Sequence, residues 1–532
     1  MRKKILILFA AMLISGSLLA GGLVTNTNQS AMFTRLQNRN ASTSIDAVYY
    51  NPAGLTKLGN GFFASVNNQT IGQTKTVGSD FPWLKNSPRE YVGKVSAPVY
   101  PGVYAAYNTG KFSFSFGFNP IGGGGGAKYD TGLPSFEMPI SSLVPGLTSQ
   151  GIPTSAYSAD IFFEGSSVYF GYQANVAYKL SDQISVAAGL RLVSAKNTYS
   201  GYLKNIQINP NKVSFGAQYN GTTMVSAPVF FTDASTTLKP LSDGATALLN
   251  GLAGVPAATP IAGLPATTQA QINGVLTAAG VSGGTTVGSA TAALSGVAAL
   301  SPTMAAYAAQ TADTYVDAER TGTGFAPILS VNYSPSDKVN LSLRYEFMTN
   351  LTLTTKVNDS KSGGIFVDGE KTIADMPAML AIGAEVKPFE KLALSATFNT
   401  YRDSRVDYDG SEKKNILMID RNFLEYGLGA EYTLTEKLRA SAGWVATNTG
   451  VLPAYQSDQT YSTNTNSFGA GFGYRITPMI DLNVGGQYTF YAEDVKSYSY
   501  PKVSAPLFSY NETYNKKTWI VAVGLDFYFG KE

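Results

Sequence analysis

The run Thr518–Phe529 alternates without interruption. Trp519, Val521, Val523, Leu525, Phe527 and Phe529 share one side, and Ile520, Ala522, Gly524, Asp526 and Tyr528 share the other. Successive side chains of a strand point to opposite faces, so this segment is apolar on one face and small or polar on the other. The same period recurs upstream. Phe112, Phe114, Phe116 and Phe118 oppose Ser113, Ser115, Gly117 and Asn119, and Leu341, Leu343, Tyr345 and Phe347 oppose Ser342, Arg344 and Glu346. Ile480, Leu482, Val484, Tyr488 and Phe490 likewise oppose Asp481, Asn483, Gln487 and Thr489. The pattern predicts fourteen strands, at 61–71, 98–108, 111–119, 166–179, 183–196, 323–334, 339–350, 376–388, 391–403, 421–434, 437–449, 464–477, 479–492 and 517–529.

Strands of this length, with one apolar face, suit a bilayer crossing. An open sheet edge would leave backbone groups unpaired in hydrocarbon, so many such strands require closure into a barrel. The connections carry the same message. Short turns follow every second strand: Asn108-Thr109-Gly110, Ser181-Asp182, Ser334 to Asp337, Pro388-Phe389-Glu390, Thr435-Glu436 and Thr477-Pro478. The other connections are long, as in barrels with periplasmic turns and outer loops. The expected fold class is all-β, a 14-stranded antiparallel transmembrane barrel.

Composition narrows the function. Of the 532 residues 44% are hydrophobic and 14% charged, with mean hydropathy −0.02, so the apolar surplus of a helical membrane protein is missing. Tyr (32) and Gly (54) are abundant, fitting interfacial aromatic girdles and tight barrel interiors. A net charge of +3 gives no reason to expect nucleic acid. Cys and His are both absent. That excludes disulfides, thiolate or His-ligated metal sites and Ser-His-Asp catalysis, so neither an enzyme nor a cofactor is expected.

Arg2, Lys3 and Lys4 precede an apolar run from Ile5 to Ile14 and then small residues, which predicts a signal peptide over 1–20 with cleavage after Ala20. Nothing downstream offers about 18 unbroken apolar residues, so no transmembrane helix is expected. The location expected is a bacterial outer membrane, with the protein monomeric and bounded by membrane lipid.

Residues 21–60 are polar and do not alternate. A fourteen-stranded barrel is too wide to be filled by its own side chains, so 21–60 are expected to fold inside it as a hatch, with 61–532 forming the barrel. The connection 197–322 is the outlier. From Gly244 to Ala312 it has no charged residue, with helix-compatible patches at Ala245–Leu252 and Ala290–Leu300. It reads either as a poorly ordered low-complexity insertion or as an apolar surface that gathers a greasy ligand.

Asn51-Pro52-Ala53-Gly54, the run Pro377 to Gly383 and the turn Gly473 to Pro478 together resemble the FadL/TodX family of outer-membrane long-chain fatty acid and hydrocarbon transporters. The resemblance extends over essentially the whole mature chain. It implies a hatch inside the barrel, a kink in the third strand that opens a lateral gap, and an outer groove built by the loops after strands five and seven. A hydrophobic ligand would be captured outside, held against the hatch and released sideways into the membrane. Gly117, Asn119 and Pro120 stand where the third strand would be interrupted, followed by Gly122 to Gly126. The resemblance places Asn51, Pro52 and Ala53 near the ligand pocket, although the same residues also read as an ordinary turn.

It also places cations for a carboxylate near the outer ends of the fifth and ninth strands. Arg191, Lys196, Arg402 and Arg405 are on offer there, with Arg191 and Arg405 inward by parity and Lys196 outward. The competing reading is a salt-bridge network lining the barrel, drawn from inward charges such as Arg344, Glu346, Glu385, Glu431, Arg439 and Arg475. The expected partner is a long-chain fatty acid or another hydrophobic small molecule. Aromatic or alkane hydrocarbon uptake and a surface-adhesive or structural role are the alternatives.

Overall fold

The computed structural model describes residues 25–359, 366–406, 418–501 and 507–530. The expected signal peptide and residues 21–24 of the expected hatch lie outside them. Fourteen staves run antiparallel in chain order: β1 Gly61–Ser79, β2 Arg89–Thr109, β3 Phe112–Tyr129, β4 Tyr157–Lys179, β5 Ile184–Ile208 and β6 Thr314–Ser336. Then come β7 (Val339–Glu346, continued as Thr352–Val357), β8 (Lys371–Ile373, continued as Met379–Phe389), β9 Leu392–Tyr401, β10 Phe423–Thr433 and β11 Leu438–Asn448. The last three are β12 Thr465–Thr477, β13 (Ile480–Tyr491, continued as Asp494–Tyr500) and β14 Phe508–Gly530. Closure is complete, because β1 pairs with β14 in one unbroken register from Gly61 opposite Gly530 to Ser79 opposite Glu512.

The alternation has the expected consequence. Phe112, Phe114, Phe116, Val521, Val523 and Phe529 stay exposed on the outside, whereas Ser113, Ser115, Asn175, Asn332 and Asp526 are buried inside. Several staves run well beyond their predicted ends, notably β1, β2, β3, β4, β5 and β14. Past Val66, the outward positions of β1 are Asn68, Thr70, Gly72, Thr74 and Thr76. Apolar alternation marks where a strand meets lipid, and the hydrogen-bonded ladder continues past that belt.

Inside the barrel lie α1 (Ala31–Arg35), α2 (Ala47–Tyr50) and a 3-10 turn over Pro52–Lys57. From Asn28 to Leu55 every residue except Thr43 and Ser44 is buried. Hatch backbone meets the wall closely. A Cβ on Gly485 of β13 would lie 2.6 Å from the Arg35 nitrogen, and one on Gly383 of β8 would lie 2.4 Å from the Ala41 nitrogen. Only glycine leaves room at these two inward positions.

Residues 136–161 and 202–314 form a separate compact unit. Its principal helices are α3 (Ala227–Gly251), α4 (Ala266–Ala278), α5 (Val287–Ala298) and α6 (Leu300–Gln310). Ala245, Ile272, Leu276, Val287, Ala290, Leu294 and Val297 make its core, and Thr286 closes a capping box on α5. The uncharged stretch is therefore a folded helical unit rather than an unstructured insertion. Val287–Gln310 is long and apolar enough by composition to cross a membrane, contrary to the expectation that nothing here is. It is divided at Ala299 into two helices, and the Gly, Ser and Thr residues that punctuate it hid its length from a search for unbroken apolar runs.

Candidate functional site

A buried ion pair knits the hatch together. Arg39 donates from Nε to Asp46 Oδ2 and from Nη2 to Asp46 Oδ1, both at 2.9 Å, while Ser42 (2.6 Å) and Ser30 (3.3 Å) donate to the same carboxylate. Burial alone would raise the Asp46 carboxyl. The Arg39 charge and these donors outweigh it, and the group ends below its ordinary value. Polar side chains of the wall then seat the hatch. Arg35 reaches Glu431, Ser441 (2.7 Å) and Asn483 (3.0 Å), and Asn40 reaches the Ile382 carbonyl (3.0 Å) and Asn399 (2.8 Å).

The inward charges are largely paired. Arg191 donates to both oxygens of Glu346 (2.7 and 3.0 Å) and to Gln173, and Arg344 stands 3.0 Å from the same carboxylate. The two guanidiniums lie 4.9 and 4.7 Å from the ring centre of Tyr49, and Arg344 also donates to the Tyr49 carbonyl. Beside the short turn before β13, Asp481 takes Arg439 (2.8 Å) and Arg475 (2.9 Å). A lining network thus engages Arg344, Glu346, Glu431, Arg439 and Arg475, and Glu385 meets Lys387 at 3.6 Å.

Between β2 and β3 the wall is interrupted. The two strands pair from Thr109 opposite Phe112 to Val103 opposite Phe118, then not again until Lys94 opposite Lys128. Residues 95–102 of β2 and 119–127 of β3 have no partner on each other. The sequence dictates this. β2 carries Pro98 and Pro101 there, neither with an N–H to give a ladder, and β3 carries Pro120 and the run Gly122 to Gly126. Gly123 adopts φ +94°, and a Cβ there would lie 2.3 Å from the Ser167 carbonyl oxygen.

The start of the hatch closes this opening. Thr25 bridges Gly122 as an extra antiparallel partner, and the Asn26 N–H donates to the Ile121 carbonyl at 2.8 Å. Tyr100 donates to the Pro120 carbonyl (2.5 Å) and receives Asn26, Asn119 donates to Gln29, and Tyr104 donates to the Gln29 carbonyl (2.7 Å). Ile121, Tyr169, Val193, Leu351, Leu353 and Met376 of the barrel pack in one apolar cluster with Val48, Tyr49 and Tyr50 of the hatch.

The residues singled out from sequence fall in different places. Asn51 is fully buried, donating to the Ser42 carbonyl (3.0 Å) and Asn332 (2.7 Å) and accepting from Ser330, and Pro52 opens the 3-10 turn. Ala53 packs on Ala177 and Ala187. This turn fixes the hatch to β4, β5 and β6. Arg191 is in the Glu346 cluster, and Lys196 points outward to Glu319 (2.9 Å). Arg405 is exposed in a 3-10 turn beyond the end of β9, where strand parity no longer governs direction. These three cations are not gathered at one point. Gly117 lies in the paired part of β3, where a Cβ would press on Val48 of the hatch (3.0 Å), whereas Asn119 and Pro120 edge the opening. The sequence reading missed Tyr100, Tyr104 and Gln29, and the paired prolines of β2 were the available signal. Among the described residues no cluster of acidic side chains fit for a metal occurs.

A family model described as an outer membrane protein β-barrel domain matches residues 289–475. No curated protein sequence matches the chain. The crystal structure of a Pseudomonas aeruginosa FadL homologue aligns over 96% of this chain and 99% of its own, with a TM-score of 0.55 and 12% identity. That of the P. putida toluene transporter TodX aligns over 92% and 95%, at a TM-score of 0.49 and 14% identity. The chain has the fold of the FadL homologue and is a bacterial outer-membrane β-barrel, in keeping with the resemblance carried by its motifs.

Proposed function

We propose that this protein is a passive outer-membrane channel for long-chain fatty acids or similarly hydrophobic molecules, which bind against the hatch and leave sideways between β2 and β3. The observation that carries this reading is the interrupted β2–β3 ladder, closed by hatch residues 25–29 rather than by barrel strands. An opening in the wall gives an apolar solute a route that avoids the aqueous periplasm, and the apolar cluster reaches it at Ile121. A polar solute would gain nothing from such a route. Clearing the opening requires residues 25–29 to move and the Tyr100–Pro120 hydrogen bond to break, in all a handful of hydrogen bonds worth about 1 kcal/mol each.

The test is a reversible lock. Thr25 and Gly122 are antiparallel partners, whose Cα atoms stand about 4.5–5.5 Å apart, within the range a disulfide spans. The chain has no cysteine of its own. Thr25→Cys with Gly122→Cys should abolish oleate uptake by cells when oxidised and restore it on reduction. Wild-type uptake through the oxidised form would end the lateral-release reading.

A further inference from the structure

Two lysines face each other across the β1–β14 seam. Lys75 and Lys516 are direct cross-strand partners. Both point inward, since Phe63, Ser65, Asn67, Gln69 and Val77 of β1 and Tyr514, Thr518, Ile520 and Ala522 of β14 are the buried positions of the same parity. Like charges directly opposite in a sheet oppose its formation. Both lysines lie beyond the lipid-facing belt, above Val66 on β1 and Trp519 on β14.

Their surroundings offer little compensation. Lys516 donates to the Tyr461 carbonyl (2.6 Å) and lies 4.3 Å from the centre of that ring. Among the described residues no carboxylate pairs with either ammonium. Burial pushes the Lys75 ammonium down to about 8, and burial together with the charge of Lys75 lowers Lys516 as well. The pair also sits at the edge of the wall opening. Lys75 is opposite Gly93 of β2, two residues before the unpaired stretch, and its Nζ lies 3.8 Å from where a Cβ on Gly124 of β3 would be. Val95, next on the inward face of β2, is buried and reaches within 3.0 Å of a Cβ built on Gly125.

Resting on the uptake reading above, we infer that Lys75 and Lys516 together bind the carboxylate of a long-chain amphiphile whose tail lies along Val95 and Ile121 toward the opening. An anion between two facing ammonium groups relieves their repulsion and gains charge-assisted hydrogen bonds in a partly dry site. A neutral hydrocarbon gains neither. This makes the channel selective for fatty acids over hydrocarbons, through residues other than Arg191, Lys196 and Arg405.

The test uses the full protein in detergent, with oleate and oleyl alcohol as probes. Wild type should bind oleate at least tenfold more tightly than the alcohol. Lys75→Gln with Lys516→Gln should lose that preference while keeping alcohol affinity, and Lys75→Arg with Lys516→Arg should retain it. Without ligand the double Gln variant should resist heat better than wild type, since a repulsion has gone. A double Gln variant that still prefers oleate would overturn the assignment and leave the uptake reading standing, as would equal binding of both probes by wild type. Binding of neither probe by wild type would remove both.

Discussion

Replacing Asp46 with Asn isolates the charge that holds the hatch folded. The change preserves size and leaves oxygen for Ser42, but it removes the anion that receives two hydrogen bonds from Arg39. Arg39 would remain buried and uncompensated, a situation that costs about 3–5 kcal/mol. At about 1.4 kcal/mol per factor of ten, the open population of the hatch should rise roughly 100- to 4,000-fold. The barrel ladder makes no use of Asp46, so the loss should be local and not global. Amide hydrogen exchange over 31–57 reads the opening directly, while gel mobility of the unheated protein reports the barrel. Exchange less than about threefold faster, with the barrel intact, would refute the reasoning. Arg39 would then be held through its longer-range attraction to Glu385 and Glu431. Adding Arg39→Gln should recover most of the loss, because no buried charge would remain.

The same pair sets an acid limit for hatch closure, and two further changes separate packing from ligand recognition. The Asp46 carboxyl is lowered in the fold, so its contribution is complete above the ordinary aspartate value of about 3.9 and is lost as pH falls through the lower folded value. Hatch exchange should accelerate only in strong acid, and that acceleration should vanish in Asp46→Asn. Gly485→Leu would drive a Cβ to within 2.6 Å of hatch backbone, and should raise ion conductance in planar bilayers, where an unchanged current would show that the wall yields instead. Arg191→Gln should lower the temperature at which the barrel loses its compact gel mobility, because Glu346 would keep only Arg344. Lys196→Gln and Arg405→Gln should leave both that temperature and oleate affinity unchanged, and a weakened affinity in either would restore them as ligand partners.

Closure, strand number and the internal hatch were legible because they follow from one demand, that no backbone group be stranded in lipid. What escaped the sequence lies where that demand lapses. Past Val66 the outward face of β1 is Asn, Thr and Gly, so Thr74-Lys75-Thr76 carries no apolar alternation and reads as loop, although the odd positions keep facing inward as far as Ser79. Carrying the parity of the lipid-facing half upward would have turned Lys75 and Lys516 into the lumen. The same rule fails for Arg405 because β9 ends at Tyr401 and a 3-10 turn follows. The wall opening was half legible. Pro120 and the glycine run marked β3, but one strand can lose its ladder to a neighbour only if the neighbour also gives up its own bonds. Pro98 and Pro101 sit in the facing stretch of β2, and only strand pairing brings these two imperfect segments together. A gap in a barrel is a property of two strands, and it becomes visible in sequence once prolines are compared across the turn that joins them.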